Sequence, residues 1–235
     1  MRATKIPEAI HHPWELSLTR PRSDSHGAHL TLPASEDIHA NGHGGPANPK
    51  TKADLRKLLR ARRAEFLAGL SQGERAAVTQ ALADRVLSRI GGCRILAGYV
   101  AIGHECDPTP ILSAAASAGA TIALPHVTDP AQPMRFLTWR PGDPLAAGPG
   151  ALLQPAADGE AVEPDVILLP LIGFDRGLHR LGQGAGYYDR ACALLPDARR
   201  IGLAWNVQEW PALPGDSWDV PLHAVATQRE WIEPS

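Results

Sequence analysis

The residues best suited to chemistry crowd into one short stretch of this 235-residue chain, Arg180-Leu-Gly-Gln-Gly-Ala-Gly-Tyr-Tyr-Asp189. Its glycines at 182, 184 and 186 alternate with other residues. That spacing lets backbone N–H groups converge on a ligand with few side chains in the way. A helix beginning at the Tyr-Tyr pair would add unpaired N–H groups and the positive end of its dipole. Arg180 offers forked donors for phosphate oxygens, and Asp189 offers a hard oxygen for a magnesium ion. The pattern is neither G-x-G-x-x-G nor G-x-x-x-x-G-K-[ST]. On these residues alone the turn stands between an anion site and a tight connection. Arg180 stands between a phosphate ligand and a surface ion pair, and Asp189 between a metal ligand and a residue that compensates a helix dipole. Tyr187 and Tyr188 also suit plain core packing.

The elements that must position this turn are legible as periodicities. Leu55, Leu58, Leu59, Phe66 and Leu70 recur at helical spacing, which predicts an amphipathic helix over 51–69. Ser71 with Glu74 forms a capping box before a second helix striped by Val78, Leu82, Val86 and Ile90. Short apolar runs predict strands at 94–100, 121–124, 134–139, 165–169, 200–204 and 224–227, with helices at 110–118 and 187–195. The strand at 165–169 leads through the glycines into the helix at 187. Helices interleaved with buried strands predict an α/β fold, with a mainly parallel sheet covered on both faces.

Composition narrows the function. A net charge of -2 gives no mandate for nucleic acid or membrane, and no apolar run approaches the roughly 20 residues that span a bilayer. Arg56, Lys57, Arg60, Arg62 and Arg63 form a basic cluster, but no aromatics interleave with it as a nucleic-acid surface requires. Cys93, Cys106 and Cys192 make no C-x-x-C pair and read as reduced cytosolic thiols. Residues 1–49 hold six of the ten histidines, His11, His12, His26, His29, His39 and His43, at spacings that fit no metal site. They lack a lasting period and an apolar leader core, and are expected to be a disordered extension of a domain over 50–235.

The stretch Phe174-Asp-Arg-Gly-Leu-His-Arg-Leu-Gly-Gln-Gly-Ala-Gly-Tyr-Tyr-Asp-Arg190 closely resembles the signature of 5-formyltetrahydrofolate cyclo-ligases, F-D-x-x-G-x-R-L-G-x-G-x-G-Y-Y-D. Lys52-Ala-Asp-Leu-Arg56, Tyr99 to Asp107, Leu124-Pro125, Met134-Arg-Phe136, Gly202-Leu-Ala204, Leu213 to Asp219 and Ala226-Thr227 resemble further family segments in order. The resemblance implies a three-layer α/β sandwich and a cytoplasmic, monomeric enzyme acting on small molecules. The implied reaction spends ATP to close 5-formyltetrahydrofolate into 5,10-methenyltetrahydrofolate. ATP is needed because the formyl oxygen would otherwise have to leave as hydroxide. A relative that keeps the nucleotide site but acts on another small substrate is the alternative.

Carried over residue by residue, the resemblance assigns ATP to Lys52, Arg56, Arg180, Leu181, Gly182, Gln183, Gly184, Ala185, Gly186, Tyr187 and Tyr188. Lys52 and Arg56, four apart on one helix face, can reach one polyphosphate. Arg60, Arg62 and Arg63 better suit a solvated face. The folate falls to Val100, Glu105, Gln183 and Tyr187, catalysis to Arg180 and Tyr187, and the magnesium ion to Asp189 and Asp219. Five residues depart from the family pattern. Leu178 stands at its usual glycine, Gln154 at a common Glu and His223 at a common Asp, while Gln183 and Ala185 fill loop positions that are often aromatic, basic or glycine.

Overall fold

Residues 51–129, 131–149, 152–216 and 218–234 are described by a computed structural model. The histidine-bearing extension lies outside them. The first helix, α1 (Lys52–Ala68), starts where Thr51 Oγ1 accepts the Asp54 N–H at 3.1 Å. Helix α2 (Gln72–Leu87) begins with the expected reciprocal capping box between Ser71 and Glu74. Ile90 lies beyond the end of α2 but is still buried with its stripe. Helices α3 (Thr109–Ser117) and α4 (Tyr187–Leu194) complete the set.

Eight strands form the main sheet: β1 (Ile95–Ala97), β2 (Thr121–His126), β3 (Arg135–Thr138), β6 (Ala161–Val162), β7 (Val166–Pro170), β10 (Arg199–Leu203), β11 (Ala224–Ala226) and β12 (Trp231–Ile232). Their spatial order is β12-β11-β10-β7-β1-β2-β3-β6. The five central strands, β11 to β2, run parallel, while β12, β3 and β6 pair antiparallel at the margins. Two small hairpins stand apart from this sheet. One pairs β4 (Ala146–Ala147) with β5 (Leu153–Gln154), and the other pairs β8 (Gly173–Phe174) with β9 (Arg180–Leu181).

Strand β7 shows how two layers of helix arise from alternation. Val166 and Leu168 pack on the side carrying α2 and α3, with Val78, Leu82, Ile111 and Leu112. Ile167 and Leu169 pack on the other side with Ala191 and Cys192 of α4. Helix α1 presses Leu55 and Leu59 against Ile172 and Leu181, beside the β8–β9 hairpin. The result is the expected three-layer sandwich. Among the described residues no helix is long and apolar enough to cross a membrane.

Two expectations change. The strand expected over 94–100 ends at Ala97, because α3 crosses there so closely that a Cβ on Gly98 would meet Leu112 Cδ2 at 2.7 Å. The freed residues after Ala97 turn toward the site. The basic face of α1 is also not simply solvated. Arg63 belongs to its buried stripe, where Nη1 donates to the Leu171 carbonyl at 3.3 Å, and Arg62 stacks over Trp210. Desolvation lowers the Arg63 guanidinium pKa, countered by the nearby Glu105 charge.

Candidate active site

The glycine turn is entered from β9, not directly from β7. The β8–β9 hairpin intervenes and places Arg180 and Leu181 in register with Phe174 and Gly173. Its turn contains Leu178 at φ 63°, the sole non-glycine residue with positive φ among the described residues. That conformation costs a side-chain-bearing residue about 1–2 kcal/mol. Leu178 is almost fully buried in the core, which offsets the strain by a similar amount, about 1.5–3 kcal/mol. The family's glycine at this place and the leucine here are thus two solutions to one backbone requirement. Buried Asp175 then accepts the His179 N–H at 3.1 Å and the Leu213 N–H at 2.9 Å. It thereby ties the hairpin to the segment that carries Asp216 and Asp219.

Within the loop, Gly184 (φ 107°) and Gly186 (φ 67°) take left-handed conformations that only glycine adopts cheaply. Gly186 is the N-cap of α4 and supplies no side-chain acceptor, so first-turn N–H groups remain for a ligand or water. Arg56 lies over the loop. Its Nε donates to the Gly182 carbonyl at 2.8 Å, and its Cζ is 3.4 Å from where a Cβ on Gly184 would stand.

All fifteen residues singled out for ATP, folate or metal line one cavity of about 450 Å³. They are Lys52, Arg56, Val100, Glu105, Arg180, Leu181, Gly182, Gln183, Gly184, Ala185, Gly186, Tyr187, Tyr188, Asp189 and Asp219. The cavity opens at the carboxyl ends of β1, β2 and β7. There the chain leaves β1 toward β2 on one side and β7 toward β10 on the other, the switch point at which open α/β sheets bind ligands.

At one end of the cavity cations and carboxylates pair with each other. Arg180 donates through Nη2 to Asp189 Oδ1 and through Nη1 to the Val220 carbonyl, and its side chain is only 6% exposed. The ion-pair alternative for Arg180 therefore holds in the ligand-free protein, although its partner is the other proposed site residue. Asp189 Oδ1 also accepts the N–H of Val220, the residue after Asp219, at 3.4 Å. Lys52 Nζ contacts Asp216 Oδ2 at 2.5 Å and lies 3.6 Å from Asp219 Oδ2. The hydrogen bond to Asp216 raises the Lys52 ammonium pKa against its desolvation. Among the described residues no three His, Cys, Asp or Glu side chains gather to hold a metal unaided. Two carboxylates, Asp189 and Asp219, suit magnesium, which takes one or two protein oxygens and completes its shell with other oxygens and water.

The other end is apolar. Val100, Ile102, Val127, Met134, Leu152 and Leu153 line it, with Pro125, Pro149 and Pro170. Glu105, nearly buried, is the carboxylate on this side, where it accepts the Ile102 N–H at 3.0 Å and the Gln183 Nε2 at 3.0 Å. Tyr187 stacks under Arg190, and burial pushes the Tyr188 hydroxyl pKa well above its ordinary value. Tyr99 closes the floor through a hydrogen bond of 2.6 Å from its hydroxyl to the Cys106 carbonyl.

Sequence reasoning missed Asp216, Trp218 and the wall around Val127. Asp216 lines the cavity and pairs with Lys52 over 164 positions. Gln154 is buried and holds that wall, since its Oε1 accepts the Val127 N–H at 3.0 Å and its Nε2 faces the Val127 carbonyl at 3.4 Å. A glutamate there could accept but not donate, so this departure matches its neighbours. His223 is remote from the cavity. Its Nδ1 accepts the Arg200 N–H at 2.9 Å, while Nε2 faces Arg200 Nη2 at 3.1 Å. A neutral imidazole has one acceptor nitrogen, so one of these contacts is unfavourable. Burial and the Arg200 and Arg199 charges lower the His223 pKa.

Such a fold and site define a three-layer α/β protein with a glycine loop over a cavity that is charged at one end and apolar at the other. The profile of the 5-formyltetrahydrofolate cyclo-ligase family matches residues 48–228. The 5-formyltetrahydrofolate cyclo-ligase of Mycolicibacterium smegmatis is 29% identical over 193 residues, covering 79% of this chain and 97% of that relative. The Escherichia coli K12 protein of the same name is 32% identical over 147 residues, 58% of this chain and 80% of its own length. The solved 5,10-methenyltetrahydrofolate synthetase of Aquifex aeolicus superposes with a TM-score of 0.65 at 26% identity, over 77% of this chain and 92% of that one. The chain belongs to the 5-formyltetrahydrofolate cyclo-ligase family.

Proposed function

We propose that this chain converts 5-formyltetrahydrofolate and ATP into 5,10-methenyltetrahydrofolate, ADP and phosphate. The observation that carries the reading is the single cavity with a charged, glycine-lined end and an apolar end bearing one carboxylate. It can seat a triphosphate against a flat reduced pterin.

The γ-phosphoryl group passes to the formyl oxygen, so that carbon gains a leaving group. Nitrogen-10 of the folate attacks that carbon and gives up its proton, and the C–O bond breaks to release phosphate. The protein contributes positioning and charge neutralisation. In our reading Lys52, Arg56 and the loop from Arg180 to Tyr188 hold the nucleotide. Val100, Glu105, Gln183 and Tyr187 hold the folate, and Arg180 and Tyr187 flank the transferring group. Asp189 and Asp219 hold a magnesium ion, which would neutralise charge on the phosphates. Binding then requires exchange, because Arg180 must shift from Asp189 toward phosphate and Lys52 from Asp216.

The proposal extends to a monomeric, cytoplasmic enzyme whose catalytic unit begins near residue 50. Among the described residues four large apolar side chains are exposed, and Ile102, Leu153 and Trp218 of these line the cavity. Little apolar surface therefore remains for a subunit contact. The test is the absorbance of the methenyl product from 5-formyltetrahydrofolate with and without ATP. Product that forms only with ATP supports the reading. ATP hydrolysis with no response to the folate would point to a different substrate.

A further inference from the structure

Arg60 belongs to the outer face of α1 and does not line the cavity, yet its Nη2 donates to Gln183 Oε1 at 2.6 Å. The same amide donates through Nε2 to Glu105 Oε1 at 3.0 Å, and Glu105 Oε2 accepts the Ile102 N–H at 3.0 Å. Three segments separated by 123 and 78 positions are thus joined end to end along one wall of the cavity. A primary amide can present either its oxygen or its NH₂ to a neighbour. With a guanidinium on one side and a carboxylate on the other, only one orientation avoids facing donor to donor and acceptor to acceptor. The cation and the carboxylate therefore select the same orientation of Gln183, and the linked bonds polarise each other.

We infer that Arg60 is a positioning residue for the folate side of the site, acting through Gln183 on Glu105. It fixes the Gln183 amide, the amide fixes the Glu105 carboxylate, and the free lone pairs of that carboxylate are held for ring donors of the substrate. Arg60 does not serve the nucleotide, whose cations are the cavity-lining Lys52, Arg56 and Arg180. The inference rests on the reading of Glu105 as the folate carboxylate.

The experiment measures KM for 5-formyltetrahydrofolate and for ATP in the full chain, in Arg60→Ala, Arg60→Lys and Gln183→Ala, and in the Arg60→Ala/Gln183→Ala double variant. Calorimetric titration with 5-formyltetrahydrofolate and thermal melting accompany the kinetics. Arg60→Ala should raise the folate KM about three- to tenfold, the span of one ordinary hydrogen bond. The ATP KM should stay within about twofold of wild type, with no change in melting, as a charge acting on one ligand only predicts. Arg60→Lys should recover most of the loss, and Arg60→Ala should add nothing once Gln183 is alanine. A rise in the ATP KM in step with the folate KM, an unchanged folate KM, or multiplicative effects in the double variant would overturn the inference. A wild-type chain that binds folate but makes no product overturns the proposed reaction and leaves the calorimetric comparison to decide the role of Arg60. A wild-type chain that binds no folate overturns both.

Discussion

The two ends of the cavity are built on opposite principles. At the charged end each of Arg180 and Lys52 already has a carboxylate partner, so the ligand-free protein is neutralised internally. At the apolar end Ile102, Leu153 and Trp218 stay exposed and have gained little from folding. A phosphate ligand must therefore exchange partners, whereas an apolar ligand has only to cover surface. Exchange gives selectivity at modest net affinity, because each bond made replaces one broken. Coverage gives affinity with little directionality, which leaves orientation to Glu105 and the residues that hold it.

This contrast is broken most severely at Asp189. Asp189→Asn removes the counter-charge of Arg180 and the negative charge of the proposed metal ligand together. Turnover should fall by about 100-fold or more, as for other losses of transition-state charge stabilisation. Asp219→Asn should lose less and move the magnesium dependence to higher concentration. Rates against free magnesium at saturating ATP decide the matter, and superimposable curves with equal plateaus would remove both carboxylates from the metal.

Glu105→Gln tests the opposite end. The amide keeps the shape but loses the charge that ring donors would meet, so folate affinity should drop about tenfold, the worth of a charged hydrogen bond. ATP affinity should hold, and calorimetry with each ligand in turn reads the split. Equal weakening of both ligands would mean that the two ends are not separate.

A smaller effect, of opposite sign, is expected at Asp216. Asp216→Asn frees Lys52 from its half-exposed partner, so the ATP KM should fall by about two- to fivefold, the range for an exposed ion pair. A rise in that constant together with a higher magnesium requirement would recast Asp216 as a metal ligand.

The smallest effect lies outside the cavity and tests whether exchange belongs only to the site. His223 has its pKa held below the ordinary 6.5, so protons bind the unfolded chain more readily. Its contribution to stability is complete above about pH 6.5 and is lost as the pH falls toward the folded value. His223→Asp gives Arg200 an acceptor with no ring donor to oppose it. It should stabilise the fold by about 1 kcal/mol near neutral pH and remove the histidine's share of the loss between its folded pKa and 6.5. Melting temperatures of both proteins across that range check this, with turnover unchanged.

How much of this was legible in the sequence depends on how far apart the interacting residues are. The cap at Ser71, the α1 and α2 stripes and the glycine positions of the loop are local matters. Periodicity, short side-chain hydrogen bonds and glycine sterics announce them within a few residues. The two-residue strands β4, β5, β6, β8, β9 and β12 carry no period and went unseen. The β8–β9 hairpin matters most, because it turns Arg180 inward. The family signature located the loop without revealing that geometry.

Sequence alone determined which residues compose the glycine loop and what order of helices and strands supports it, because backbone conformation there follows from neighbours in the chain. Tertiary structure alone decided what those residues do to one another. It set Arg180 on Asp189, Lys52 on Asp216, and Gln183 between Arg60 and Glu105. Charge pairing depends on distance in space, and a separation of 164 positions closes to 2.5 Å only after the β8–β9 hairpin and α1 have packed.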